Sequence, residues 1–209
     1  MLKNNKRVIL ILGMYRSGTS ALTKGLETMG VFLGDSFTPT NPFRDYWENL
    51  EFHNFTDSAL DTLGERLRLI LLVTEEEISL LSQQGFFSQA CNLLHEKTST
   101  SNLVGFKDPK CSLLLPFWKK VFQKCHIRFS CVIALRDPSS VTASHKPHCH
   151  AEHEELSLWM YISYLLSCLE HLEMHERILV DYSELLKHPE HQMQRIAEAF
   201  KLTLQPKAL

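Results

Sequence analysis

The chain has 209 residues, a size that suits one domain with a substantial core, and we expect a single domain over residues 1–209. Hydrophobic residues make up 44% and charged residues 22%, which is ordinary globular usage and excludes a largely disordered chain. The formal net charge is −2, so no global positive field favours nucleic acid or an anionic membrane as a partner. An anionic ligand would therefore have to be bound by a local arrangement of donors.

The apolar stretches are too short for a membrane span, which needs roughly 20 consecutive apolar residues. The run 8–12 is also too short for the apolar region of a secretory signal. The cysteines contain no CxxC pair and lie mostly among apolar residues; they are Cys91, Cys111, Cys125, Cys131, Cys149 and Cys168. This usage predicts reduced core thiols in a cytoplasmic protein.

Continuous apolar runs, separated by segments with helical features, predict buried strands alternating with helices. In chain order we expect a strand at Val8–Leu12, a helix at Ser20–Met29, a helix from Thr74 to about Lys97, a strand at Leu103–Phe106, a helix from Pro116 to Lys124, a strand at Ile127–Leu135, a helix at Glu154–Glu173, a strand at Ile178–Val180 and a helix at Glu190–Phe200. The alternation predicts an α/β fold with a mostly parallel central sheet flanked by helices. We also expect the apolar positions of Trp159–Leu172 to pack in the core. The segment Asp35–Tyr46, with its prolines, is expected to form a long loop, and long loops in compact domains are often functional.

The segment from Gly13 to Ser20 lies between the first predicted strand and the first helix. A glycine-containing turn there can point backbone N–H groups at a phosphate, and the helix dipole adds about 0.3–1 kcal/mol. The pattern approaches the phosphate-binding GxxxxGK[ST] loop, except that Thr19 replaces the lysine that reaches the β- and γ-phosphates. This difference counts against ATP or GTP hydrolysis, and Arg16 can supply the missing cation. A tight turn without a ligand is the alternative interpretation.

Two further basic motifs follow the second and third predicted strands: Lys107-Asp108-Pro109, and Arg136-Asp137-Pro138 with Ser144 eight residues after the arginine. Ligands of open α/β sheets bind outside the carboxyl ends of the strands, so Arg16, Lys107 and Arg136 are predicted to meet at one edge. Each motif alone is also explained by a capping ion pair before proline. Together they predict a nucleotide with phosphates at both ends.

The ordered motifs resemble those of sulfotransferases that use 3′-phosphoadenylyl sulfate (PAPS), especially the bacterial, carbohydrate and protein-tyrosine branches. The resemblance runs from about Val8 to Phe200 and includes the segment Val180–Leu186. It implies a P-loop-like three-layer fold in which the first loop binds the 5′-phosphosulfate, while the third motif holds the 3′-phosphate. The expected donor-binding residues are Arg16, Ser17, Gly18, Thr19, Ser20, Arg136 and Ser144. Many relatives continue further at the C-terminus, so the adenine contacts are not assigned.

Sulfuryl transfer is expected to proceed by in-line displacement, with Arg16 and Lys107 stabilising the charge that builds on the departing oxygen. Glu48 resembles the glutamate that protein-tyrosine and heparan-type sulfotransferases place at this point, which implies the role of catalytic base. We expect its apolar neighbours Trp47, Phe52 and Phe55 to raise its pKa. An exposed carboxylate at a helix start is the alternative. The next candidates for the base are Asp108 and His53.

A dense group of histidines and one cysteine follows the third motif: His145, His148, Cys149, His150 and His153. Their spacing is not a recognised zinc pattern, and the transfer scheme requires no divalent metal, so we predict no metal site.

The leading hypothesis is a PAPS-dependent sulfotransferase acting on a hydroxyl of a carbohydrate, a lipid or a natural product. The alternatives are a nucleotide kinase or NTPase, with Asp108 as a magnesium ligand, and a catalytically inactive nucleotide-binding module.

Overall fold

The computed structural model describes residues 6–34, 46–64, 70, 72–146 and 154–202. In chain order these residues form β1 (Arg7–Leu12), α1 (Thr19–Thr28), α2 (Leu50–Leu63), α3 (Glu75–Gln83), α4 (Phe86–Thr100), β2 (Leu103–Lys107), α5 (Leu115–Lys124), β3 (Arg128–Leu135), α6 (Pro138–His145), α7 (Glu154–His171), β4 (Arg177–Asp181), α8 (Tyr182–Lys187) and α9 (Pro189–Phe200). Short 3-10 turns occupy Pro109–Ser112 and Met174–Glu176.

The four strands form one sheet in the order β2-β1-β3-β4, and all three pairings are parallel. In the register, Ile11 of β1 lies opposite Lys107 of β2 and Val132 of β3, and Leu135 of β3 lies opposite Asp181 of β4. The carboxyl ends of the strands therefore share one edge of the sheet, and the segments that follow the strands begin there.

Successive residues of β1 point to opposite faces of the sheet, and they are apolar on both faces. Helices therefore pack on both faces. Leu10 packs on one side with the large cluster built from α2 to α5, in which the rings of Phe52 and Phe106 stack 3.8 Å apart. Ile11 packs on the other side with Leu22 of α1 and residues of α9. The arrangement is the predicted three-layer α/β fold, with strands buried on both faces.

The predicted strands and most predicted helices are confirmed within two residues, but the single helix from Thr74 to Lys97 is wrong. Thr74 and Glu77 do form the capping box that starts α3. The helix then ends, and Gly85, with φ of +85°, begins α4. A left-handed residue at this point changes the chain direction, so two helices form. Helix α2 was not predicted although Phe52, Phe55 and Ala59 give it a buried face at helical spacing, and the six-residue α8 is too short to show an apolar periodicity.

The expectation that the apolar positions of Trp159–Leu172 are core is wrong for one face of α7. Trp159 is 59% exposed, and its exposed apolar neighbours on the helix are Leu158, Ile162, Leu166 and Leu169. Met160 and Tyr164 are buried on the opposite side. The helix is apolar all round, but only one of its sides packs against the rest of the described chain. None of the described helices combines the length and the apolar character that crossing a bilayer requires.

Candidate active site

A cavity of about 310 Å³ opens at the carboxyl edge of the sheet, and the segments after all four strands contribute to its wall. It contains three basic side chains and one carboxylate. The lining residues are Tyr15, Arg16, Gly18, Thr19, Ser20, Ala21, Tyr46, Glu48, Lys107, Pro109, Arg136 and Tyr182. Of the predicted loop segment Asp35–Tyr46, residues 35–45 lie outside the described residues.

The loop between β1 and α1 delivers the N-terminus of a helix to this cavity. Gly18 precedes α1 with φ of +99°, and no side chain caps the helix. Thr19 and Ser20, the first two residues of α1, line the cavity. Because the first amides of a helix lack partners within the helix, this end suits an anion.

Tyr182, which we did not predict as a site residue, packs directly on this loop. A Cβ atom added to Gly18 would lie 2.2 Å from Cδ2 of Tyr182, so only glycine fits against the ring. The guanidinium of Arg136 lies over the same ring, 4.9 Å from its centre. Tyr182 follows β4, and this position at the fourth strand end is the signal that could have identified it.

Arg16 contacts both Arg136 and Ser144; the two arginines line the cavity, whereas Ser144 is not among its lining residues. Arg16 Nε donates a hydrogen bond of 3.0 Å to Ser144 Oγ. Arg136 Nη1 donates one of 2.8 Å to the Arg16 carbonyl oxygen, and the Tyr161 hydroxyl donates one of 2.9 Å to the Arg136 carbonyl oxygen. Arg16 has a left-handed backbone, with φ of +68°. The third motif therefore supports the loop of the first.

The hydroxyl groups of the loop have different surroundings. The Ser17 hydroxyl is buried and donates to the Met14 carbonyl oxygen at 2.5 Å, so this side chain stabilises the turn and does not line the cavity. Ser20 Oγ donates to the Tyr46 carbonyl oxygen at 3.1 Å. Of the five residues Arg16 to Ser20 expected to bind the donor, the structure brings all but Ser17 to the cavity wall.

Lys107 and Glu48, which both line the cavity, form a buried ion pair. Lys107 Nζ donates to Glu48 Oε1 at 2.6 Å, and Lys107 is only 2% exposed. Glu48 directly precedes Asn49, whose side chain caps α2, yet Glu48 is buried; the alternative of an exposed carboxylate is therefore wrong.

The expected rise in the pKa of Glu48 is also wrong. Burial alone would raise this pKa, but contact with His53 and the positive charge of Lys107 together outweigh burial, and the pKa lies below its ordinary value. The apolar neighbours were visible in the sequence, whereas the two cationic partners are brought in by the fold.

His53, on the first turn of α2, lies among three carboxylates. Its Nδ1 is 3.3 Å from Glu48 Oε2 and 3.4 Å from Asp108 Oδ2, and its Nε2 is 3.3 Å from Asp57 Oδ2. Both Nδ1 distances lie within ion-pair range, but the angles at Nδ1 are not those of a hydrogen bond. Asp108 and Glu48 raise the pKa of His53 to about 9, so the imidazole is charged at neutral pH. Burial raises the pKa of Asp108, whose Oδ1 accepts from the Lys110 amide.

No group of three or more His, Cys, Asp or Glu side chains in the described part of the chain is arranged to hold a metal. His145 is buried on α6, where its Nδ1 lies 2.9 Å from Ser157 Oγ and its ring stacks on Tyr15. The other members of the cluster, His148, Cys149, His150 and His153, lie outside the described residues, so the prediction of no metal stays a prediction.

Comparison with known proteins agrees with this architecture. A profile of the sulfotransferase family matches residues 8–206. The chain belongs to the sulfotransferase family. No curated protein is similar enough to this sulfotransferase-family chain to count as a match.

Solved structures share the fold. The sulfotransferase domain of the Synechococcus PCC 7002 olefin synthase superposes with a TM-score of 0.66 at 16% identity, covering 98% of this chain and 76% of that one. The sulfotransferase domain of the curacin biosynthetic pathway superposes with a TM-score of 0.56 at 18% identity, covering 98% of this chain and 77% of that one. A sulfotransferase of Mycobacterium tuberculosis H37Rv superposes with a TM-score of 0.56 at 16% identity, covering 97% of this chain and 69% of that one. At these identities the likeness concerns the fold.

Proposed function

We propose that this chain transfers the sulfuryl group of PAPS to a hydroxyl of a carbohydrate, lipid or natural-product acceptor. The observation that carries the proposal is the cavity in which Arg16, Lys107, Arg136 and Glu48 meet beside an uncapped helix N-terminus. The three cations come from separate strand ends, and a phosphosulfate at one end of a nucleotide with a phosphate at the other would use all three.

The donor is bound at two places in this proposal. The start of α1, with Thr19, Ser20 and Arg16, receives the 5′-phosphosulfate, since helix amides and a guanidinium both favour anionic oxygens. Arg136 and Ser144 receive the 3′-phosphate. The hydrogen bonds from Arg136 to the Arg16 carbonyl and from Arg16 to Ser144 support this division, because they hold the two subsites next to each other.

Lys107 and Arg16 stabilise the negative charge that develops on the departing phosphate oxygen. Charge-assisted hydrogen bonds contribute roughly 1.5–3 kcal/mol each, so the loss of either cation is expected to slow turnover by about 10- to 100-fold. Lys107 suits this role because its ammonium is already desolvated and held in place by Glu48.

Glu48 takes the proton of the acceptor hydroxyl. The charges of Lys107 and His53 keep this carboxylate ionised at neutral pH, which is the form that a base needs before the acceptor arrives. Asp108 is less suitable for this step, since its side chain is fully buried and does not line the cavity.

The test measures transfer of labelled sulfuryl from PAPS to a panel of hydroxyl acceptors, together with binding of 3′,5′-diphosphoadenosine. Glu48→Gln is expected to lose at least 100-fold in turnover while it still binds the nucleotide. Glu51→Gln is the matched control, because Glu51 lies on α2 three residues away and pairs with Lys97 outside the cavity. Nucleotide binding without transfer to any acceptor would favour an inactive binding module, and magnesium-dependent ATP turnover without such binding would favour a kinase.

A further inference from the structure

Two cysteines that have no part in the cavity contact each other across a helix–helix interface. Cys91 lies in the second turn of α4, and Cys125 is the residue that ends α5. The Cys125 thiol donates a hydrogen bond of 2.9 Å to the sulfur of Cys91, across 34 positions of sequence. Both are free thiols, and neither lines the cavity.

Packing on both helices holds the two sulfur atoms in place. Phe87, one helical turn before Cys91, meets the ring of Phe117 on α5 edge-on at 4.8 Å. The ammonium of Lys124, next to Cys125, lies over the ring of Phe87 at 5.7 Å. Both contacts involve Phe87 and hold α4 against α5 next to the thiol pair, so little movement is needed to join the sulfur atoms.

The two thiols differ in exposure, which gives each a separate part in thiol exchange. Cys91 is partly exposed, whereas Cys125 is only 8% exposed. Burial and the hydrogen bond to Cys91 raise the pKa of Cys125 to about 12. Cys125 thus keeps its proton and donates it toward Cys91, an arrangement that favours Cys91 as the first nucleophile. Three other cysteines are buried in the core: Cys111, Cys131 and Cys168.

We propose that Cys91 and Cys125 are an oxidation site, which closes into an intramolecular disulfide between α4 and α5 when the protein meets a small-molecule disulfide. The Cys91 thiolate attacks one sulfur of that molecule, forms a mixed disulfide and releases one thiol, which takes up a proton. Cys125 then loses its proton to solvent and attacks the sulfur of Cys91, which releases the second thiol. The protein loses two electrons and two protons, and the oxidant is reduced to two thiols.

The new bond would tether two helices that cover one face of the sheet, without altering the cavity. Closing a loop of this length restricts the unfolded chain, and the expected result is a rise in Tm of about 5–10 °C. The affinity for 3′,5′-diphosphoadenosine should stay the same, because neither cysteine lines the cavity.

The experiment treats the full chain, with Cys149→Ser as the background, with oxidised glutathione and maps its peptides without reduction. The expected product is one cross-link between Cys91 and Cys125, a higher Tm, and reversal of both by dithiothreitol. In Cys125→Ala the mixed disulfide on Cys91 should accumulate, because no second thiol resolves it. In Cys91→Ser neither product should form.

Three results would overturn the proposal. The first is a cross-link that joins other cysteines. The second is a glutathione adduct that persists on Cys91 while Cys125 is present. The third is that both thiols stay free at oxidant concentrations that oxidise an unfolded control. Because Cys91 is partly exposed, Cys91→Ser is expected to fold. The comparison of Cys91→Ser with the wild type therefore tests the proposal even if Cys125→Ala is destabilised.

Discussion

The cluster around His53 predicts a specific pH dependence of stability. The nearby carboxylates of Asp108 and Glu48 raise the pKa of His53 from 6.5 to about 9. A group whose pKa is higher in the folded state binds its proton more tightly there, so it stabilises the fold as long as it is protonated. This contribution is fully present below pH 6.5 and disappears as the pH rises through 9.

The size of the effect follows from the pKa change. Each pKa unit corresponds to about 1.4 kcal/mol, which gives roughly 3.4 kcal/mol for His53 as an upper bound. The side chain is 27% exposed, so solvent screening reduces the expected value to about 2 kcal/mol. The free energy of unfolding should therefore fall by about 2 kcal/mol between pH 6.5 and 9.

Urea unfolding at a series of pH values measures this loss directly. His53→Gln should lower the free energy of unfolding at pH 6 and abolish the decline that His53 causes toward pH 9. Asp57→Asn is the matched control: Asp57 is as close to the imidazole, but Asp108 and Glu48 are the main causes of the raised pKa, so most of the decline should remain. If His53→Gln declined as steeply as the wild type, the account of the carboxylate cluster would be refuted.

Three further variants test the packing. Gly18→Ala places a Cβ 2.2 Å from the ring of Tyr182 at a φ of +99°, so calorimetry should show at least about a tenfold loss of affinity for 3′,5′-diphosphoadenosine, and unchanged affinity would contradict the proposed use of this loop. Phe52→Ala removes a buried ring stacked on Phe106 and should cost about 3–5 kcal/mol in urea unfolding. Trp159→Ala, on the exposed face of α7, should change stability by about 0.5 kcal/mol or less, and a larger loss would mean that this face is covered.

The sheet and the phosphate-type loop could be predicted because their signals are local. Continuous apolar runs such as Val8–Leu12 mark strands buried on both faces, and parallel strands bring their carboxyl ends to one edge. The convergence of Arg16, Lys107 and Arg136 followed from that topology alone. The break at Gly85 was also marked in the sequence, by a glycine inside a helical pattern, and the long helix was predicted in spite of it.

The electrostatics of the site could not be predicted, because they depend on partners far apart in the chain. Glu48 meets Lys107 across 59 positions of sequence, and this contact reverses the pKa change that its apolar neighbours suggest. The packing of Tyr182 on Gly18 likewise joins the first loop to the segment after the last strand. No local pattern encodes such pairs.

The most direct test of the central claim is the difference in affinity between 3′,5′-diphosphoadenosine and adenosine 5′-phosphate, measured by calorimetry. If Arg136 holds the 3′-phosphate, the wild type should bind the diphosphate about 10- to 100-fold more tightly, and Arg136→Ala should lose that preference. Arg128→Ala, which removes the same charge at the opposite end of β3, should keep it. Equal affinities in the wild type, or a preference that survives in Arg136→Ala, would contradict the account.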